Sequence, residues 1–237
     1  MADYRDFASP YYPYKKVITG ANTLKGAEQI PYKLLIYLLD LPDAEGYYPA
    51  DDNDRPRVRL AKYLWYEDQF PLTQRLPTPE QKRSMLFDPS HPVIDSDEEK
   101  EAHPKGYRLY WQRMVGNSET DAKIMLKCYV NRCFERRKFI TTIGVRFEVW
   151  VSTNLETNTG TSAYQRCFDI EQCLHEALDG VDMDGIGSIS FATADHSDNG
   201  SEALWTDSEY LGRSVHCSIT WAEGPERNEV FDWGERE

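Results

Sequence analysis

No apolar run in this chain reaches the roughly 20 residues needed to cross a bilayer. The opening MADYRDFASPYYPYKK has neither the basic start nor the apolar stretch of a secretory signal. A soluble, unexported protein is therefore expected. Basic side chains are in deficit, 27 against 40 acidic ones, for a formal charge of −13. An exposed acidic surface repels phosphate, which argues against sequence-specific nucleic-acid binding but not against a protein that surrounds DNA without gripping it. Cysteine is scarce and odd in number: Cys128, Cys133, Cys167, Cys173 and Cys217. Their spacings are not those of Cys-x-x-Cys metal sites, and no fitting histidine follows them, so buried reduced thiols are the reading. A phosphate-cradling glycine loop and a dinucleotide fingerprint are both missing. No cofactor and no metal are expected.

What is present is a change of period along 237 residues, enough for a sizeable core. Residues 1–28 hold tyrosine, proline and glycine without period and read as an extended arm. In EQIPYKLLIYLLDLP, Leu34, Leu35, Leu38 and Leu39 share one helical face and Pro42 stops the run. RVRLAKYLWYEDQ repeats that pattern through Val58, Ala61, Leu64 and Trp65, with Pro56 just ahead of the first turn. From Phe70 to His103, five prolines and the acidic DSDEEKE predict a long exposed connection. It should hold at most one short helix, at TPEQKRSML, with Thr78 as cap and Pro79 in first position.

The period then becomes two. GYRLYWQRMVG, KIMLKCYVNRCF and FITTIGVRFEVWVSTN each alternate apolar and polar residues, predicting three consecutive strands in an antiparallel meander. Ile143, Val145, Phe147, Val149 and Val151 mark the core side of the third. SAYQRCFDIEQCLHEALDG returns to helical spacing and ends at Gly180, and strands follow at 187–193 and 211–223. The order β-β-β-α-β-β describes an α+β fold: an antiparallel sheet of about five strands with a helix on one face, plus an N-terminal helical region. The divisions are 1–56, arm and short helix; 57–223, the α+β domain; and 224–237, an acidic tail.

Few residues suggest chemistry. ADHSDNG sets His196 between Asp195 and Asp198 beside Ser197, and a metal-dependent hydrolase using Asp195, His196 and Asp198 is the alternative this permits. Neighbours in sequence rarely converge on one reacting atom, and Asp, Ser, Asn and Gly are turn formers, so a turn is the preferred reading. DMDGIG starts like a calcium loop through Asp182, Asp184 and Gly185 but lacks the later ligands. His175 falls on the polar flank of its helix. Arg136, Arg137 and Lys138 read as a solvated hairpin turn. No catalytic residue is assigned, and a non-enzymatic protein is expected.

Three stretches, LAKYLWYEDQFPLTQRLPTPEQKRSMLF (60–87), TTIGVRFEVWVST (141–153) and the segment 164–221 running from YQRCFDIEQCLHEALDG to the closing strand, resemble the tail-terminator (tail-completion, neck) proteins of long-tailed bacteriophages. The resemblance implies a virion protein assembled in the host cytoplasm. It implies a ring, usually a hexamer, that caps the tail tube and joins it to the head-side connector, with genomic DNA passing through the lumen. Region 1–56 and the acidic tail depart from small members of that family, and a head-completion or stopper layer is an alternative. A ring subunit must carry complementary surfaces on its two sides. Arg146, Glu148 and Trp150, on the non-core side of the long strand, and His216, which alternates out of the core on the last one, are the expected subunit interface.

Overall fold

The computed structural model describes residues 27–41, 50–113, 123–137, 140–155, 160, 162–183, 186–191, 200–204 and 209–221. The acidic tail, and the arm apart from residues 27 and 28, lie outside that set.

A 3-10 turn, Ala27–Gln29, leads into α1, Ile30–Leu38. Its Ile30, Leu34, Leu35 and Leu38 are closed off from water, as the helical spacing predicts. The helix stops at Asp40, whose left-handed backbone (φ 52°) turns the chain. That turn is tied down: Asp40 pairs with Arg55 at 2.9 Å and Arg57 at 2.8 Å, and the buried Lys82 ammonium donates to the Leu39 carbonyl at 2.8 Å. Helix α2, Pro56–Trp65, begins on its proline, and α3, Pro79–Ser84, on a capping box between Thr78 and Gln81. The connection holds a second short helix, α4, Asp97–Ala102, where only one was expected. Ser96 and Glu99 form its capping box, so the acidic run that read as loop is a helix start. Helix α5, Ala163–Leu178, is capped by Ser162 and closes before Gly180 (φ 73°).

The strands are β1 (Leu109–Tyr110), β2 (Ile124–Arg137), β3 (Ile140–Ser152), β4 (Asp182–Met183), β5 (Gly187–Ser190), β6 (Gly200–Leu204) and β7 (Tyr210–Trp221). They form one mostly antiparallel sheet in the order β1-β2-β3-β7-β5-β4, with β6 beside the first half of β7 and β5 beside its second half. The fold is thus α+β, with seven strands among the described residues where about five were expected. The meander is corrected at its first strand: β1 has two residues and runs parallel to β2. Tyr107, Arg108, Leu109 and Tyr110 are all buried, so alternation in the sequence there did not mean one wet face. The basic turn is also corrected, since Arg136 and Arg137 are strand residues, with Arg137 opposite Ile140. Lys138 lies outside the described residues.

Strand β3 lies mid-sheet between β2 and β7. Its Ile143, Val145, Phe147, Val149 and Val151 share one buried cluster with Val215, Cys217 and Ile219 of β7 and Cys167, Ile170 and Leu174 of α5. Leu34, Leu35 and Leu38 of α1 belong to the same cluster, so the packed core extends upstream of residue 57. Two buried arginines lock α2 into this layer. Arg166 donates to the carbonyls of Tyr63 (3.0 Å), Tyr66 (2.9 Å) and Asp68 (2.7 Å), and Arg108 donates to those of Leu64 and Trp65. Both therefore place positive charge at a helix C-terminus, where the carbonyls lack intrahelical partners. Arg108 also pairs with Glu67, which Lys123 reaches at 2.8 Å. Burial alone would raise the Glu67 carboxyl, but the Lys123 hydrogen bond and the charges of Arg108 and Lys105 hold it below its ordinary value.

Candidate functional site

Register decides what the other face of the sheet carries. Successive Cβ atoms alternate, so with Phe147 inward Arg146 and Glu148 point outward, and cross-strand partners follow. Lys127 lies opposite Glu148, Tyr129 opposite Arg146, His216 opposite Arg146 and Ser214 opposite Glu148. On the far edge, Glu202 of β6 lies opposite Ser214. The four expected interface residues do therefore share one face.

They are joined there by a ladder of polar contacts running across four strands. The Tyr129 hydroxyl donates to Glu148 at 2.5 Å, and the Trp150 indole donates to its other oxygen at 3.2 Å. Arg146 Nε lies 3.1 Å from Glu148 as an ion pair without hydrogen-bond geometry, and its Nη2 lies 3.6 Å from Glu202. Glu202 also stands 3.7 Å from His216 Nε2, which shares a 2.8 Å contact with the Ser214 hydroxyl. The Lys127 ammonium sits 5.4 Å from the Trp150 ring centre. Burial pushes the Tyr129 phenol up to about 12, reinforced by its hydrogen bond to the anionic Glu148. Thr142, further along β3, is buried with its hydroxyl unpartnered.

Exposure separates the members of this ladder. Glu202 is 62% exposed, against 23% for Arg146, 15% for His216 and 13% for Glu148. Trp150 packs against a second, smaller cluster made by Phe87, Tyr107, Tyr110 and Met125. One end of the face is thus already covered by the chain's own 87–111 segment. The open part centres on Arg146, His216 and Glu202. Glu202, Tyr129 and Lys127 had not been singled out from the sequence. For the two β2 residues the signal was there, because both occupy non-core positions of an alternating strand; GSEAL, which forms β6, carries no alternation to find.

The hydrolase triad cannot be placed, since Asp195, His196 and Asp198 fall outside the described residues. Among the described residues no cluster of three or more His, Cys, Asp or Glu side chains could hold a metal. Asp182 lies in the short strand β4, and residues 184 and 185 lie outside the described set. His175 is half-buried, its ring centre 4.3 Å from that of Phe191 with the planes tilted by 43°, and its Nε2 3.9 Å from Glu171. All five cysteines are free, four of them buried. Cys133, beyond a bulge in β2, is exposed, which corrects the uniform expectation of buried thiols. Burial raises the Cys167 thiol to about 12 and the Cys173 thiol to about 11. No helix among the described residues is long and apolar enough to cross a membrane. Neither protein-family models nor curated proteins give a match to this chain.

Proposed function

We propose that this chain is a ring-forming structural subunit of a bacteriophage neck, of the tail-terminator kind. It would cap the tail tube and join it to the head-side connector, with DNA passing through the lumen. The observation that carries the reading is the two-sidedness of the sheet. Its apolar face is closed by α1, α2 and α5, while the open part of the other presents a fixed ladder of charged and polar side chains. Side chains already held by neighbours lose little freedom when a partner arrives, which favours a contact surface over a merely solvated one. An acidic subunit also suits a channel through which DNA slides, because counterion-releasing contacts would hold it. The test is negative-stain imaging of the purified protein beside its mass in solution. Closed rings support the reading; a monomer at every concentration overturns it.

A further inference from the structure

Strand β6 closes one flank of the sheet. Among the described residues it pairs with β7 alone, so its other side is a strand edge. About half of the N–H and C=O groups of an edge strand point away from its one partner. The pairing with β7 runs without a register shift from Gly200 opposite His216 to Leu204 opposite Gly212, and GSEAL holds neither proline nor lysine. Ser201, Glu202 and Ala203 are exposed. The opposite flank is treated differently: β2 carries two register shifts, and β1 lies along it at Leu126 and Lys127. Bulges, prolines and lysines are what stop an edge from taking another strand. Strand β6 has none of them.

Glu202 sets the chemistry of what can join. Its carboxylate is 62% exposed at the middle of β6. Like charges set opposite each other destabilise a strand pair, whereas a lysine in that place is attracted. The incoming strand should therefore bring a lysine, no carboxylate, and side chains suited to a pleat. In a chain of formal charge −13 such a stretch is rare. Residues 7–27 are its longest run without Asp or Glu. They carry Lys15, Lys16 and Lys25, and the lysine pair is followed by three β-branched residues, Val17, Ile18 and Thr19. Residues 7–26 of this arm lie outside the described set.

The root of the arm decides whose β6 it reaches. Ala27 is buried at the start of its 3-10 turn, and α1 just behind it packs on β2. Tyr32 of α1 meets Trp111, the residue after β1, with ring centres 5.2 Å apart. The arm therefore leaves from the β1–β2 flank, while β6 lies across β3 and β7 on the other. A head-to-tail contact in a ring brings one flank of a subunit against the other flank of the next. Residues 20–26, GANTLKG, span up to roughly 23 Å when extended, slack enough to cross such a joint.

We infer that residues 15–19 of each copy add as a strand to the β6 edge of the next copy, with the lysine pair beside Glu202. Main-chain hydrogen bonds supply the affinity, and the Lys–Glu pairing selects the segment. The inference rests on the ring reading above and supplies one of its joints.

The test is hydrogen exchange of the full chain, read by mass spectrometry on the fragment that holds residues 200–204, beside sedimentation at the same concentrations. The variants are Val17→Pro with Ile18→Pro, Lys15→Glu with Lys16→Glu, and this second pair combined with Glu202→Arg. In the native chain the fragment should exchange at least about tenfold more slowly when assembled than after dilution to the monomer. The proline variant cannot supply the strand's donors. It should lose that protection and raise the concentration for half-assembly at least about tenfold. The Lys15→Glu, Lys16→Glu variant should weaken assembly in the same direction, and adding Glu202→Arg should recover it, since opposite charges again face each other. Circular dichroism checks each variant's fold, and the native dilution series decides alone where a variant fails to fold. Protection that survives dilution to the monomer puts the arm on its own subunit and overturns the second copy as partner. Protection that the proline variant keeps assigns the edge to another segment and overturns the arm. Rings whose fragment exchanges freely overturn the edge contact and leave the ring reading standing. A native monomer at every concentration overturns both.

Discussion

Arg166 and Arg108 are almost fully buried yet face no cluster of carboxylates; most of their donors go to main-chain carbonyls at and just beyond the end of α2. Replacing Arg166 by Met would keep much of the packing volume and strand the carbonyls of Tyr63, Tyr66 and Asp68. Hydrogen bonds to charged groups are worth about 1.5–3 kcal/mol each, and unsatisfied buried acceptors cost comparably. Arg166→Met should therefore lose roughly 3 kcal/mol of stability in a urea titration, while a substitution at the exposed Gln172 should lose little. Lys82 gives a pH signature. Burial pushes its ammonium down to about 8 from an ordinary 10.5, with only partial relief from Asp40. Below pH 8 the group is charged folded and unfolded, and the cost of burying it is fully present. Between about 8 and 10.5 the unfolded chain binds the extra proton, so this group makes stability rise with pH across that window. Denaturation midpoints measured across it should show a rising contribution that Lys82→Met removes. Neither role was legible in the sequence. Hydropathy places Arg and Lys outside by default, and only the fold reveals which of them lies over a helix end or a turn.

At the scale of elements, legibility followed how one-sided the burial is. Strand β3 was readable because its inner residues are fully enclosed and its outer ones are not, so the period of two survives in the composition. Helices α1, α2 and α5 were readable for the same reason at a period near 3.6. Strand β1 failed because the chain there is buried on both sides: Arg108 reaches the end of α2 while Tyr107 and Tyr110 enter the second cluster with Phe87. Helix α4 buries nothing and left no apolar period, although its Ser-x-x-Glu start was in view. The candidate face was half legible: alternation found Arg146, Glu148, Trp150 and His216, but a sequence cannot show that Trp150 is already packed by its own chain. The reach of the core upstream leads to a prediction about α1. Removing residues 1–26 should leave the cooperative unfolding transition in place. Removing residues 1–41 deletes Ile30, Leu34, Leu35, Leu38 and Leu39, each at 1% exposure or less, and strands Lys82 without the Leu39 carbonyl. Full burial of such side chains contributes about 1.5–3 kcal/mol apiece, in sum comparable with the 5–15 kcal/mol by which domains are stable. The shorter deletion should melt like the full chain, and the longer one should show no cooperative transition in calorimetry.

For the whole molecule the question is whether the sheet's second face serves folding or assembly, and its residues divide by what they touch. Phe147, enclosed between the sheet and α5, should cost roughly 3–5 kcal/mol when cut to Ala, and should act on the monomer. Trp150→Ala should act on both levels, because the indole packs on the Phe87 cluster and also bonds Glu148. Glu202 isolates the second level. Its carboxylate is 62% exposed and its pairs with Arg146 and His216 are longer than 3.5 Å, so reversing it to Arg should leave the monomer within about 0.5 kcal/mol of its native stability. If the ring reading holds and this face is the subunit contact, the same reversal changes the charge offered to the neighbour, and it recurs at every joint. The expected pattern is native circular dichroism and melting for Glu202→Arg, with sedimentation shifted toward smaller species. Phe147→Ala should instead melt early while still assembling at low temperature. A Glu202→Arg protein that sediments like the native chain would show that this face looks onto solvent, and the ladder from Tyr129 to Glu202 would then serve only to brace the sheet.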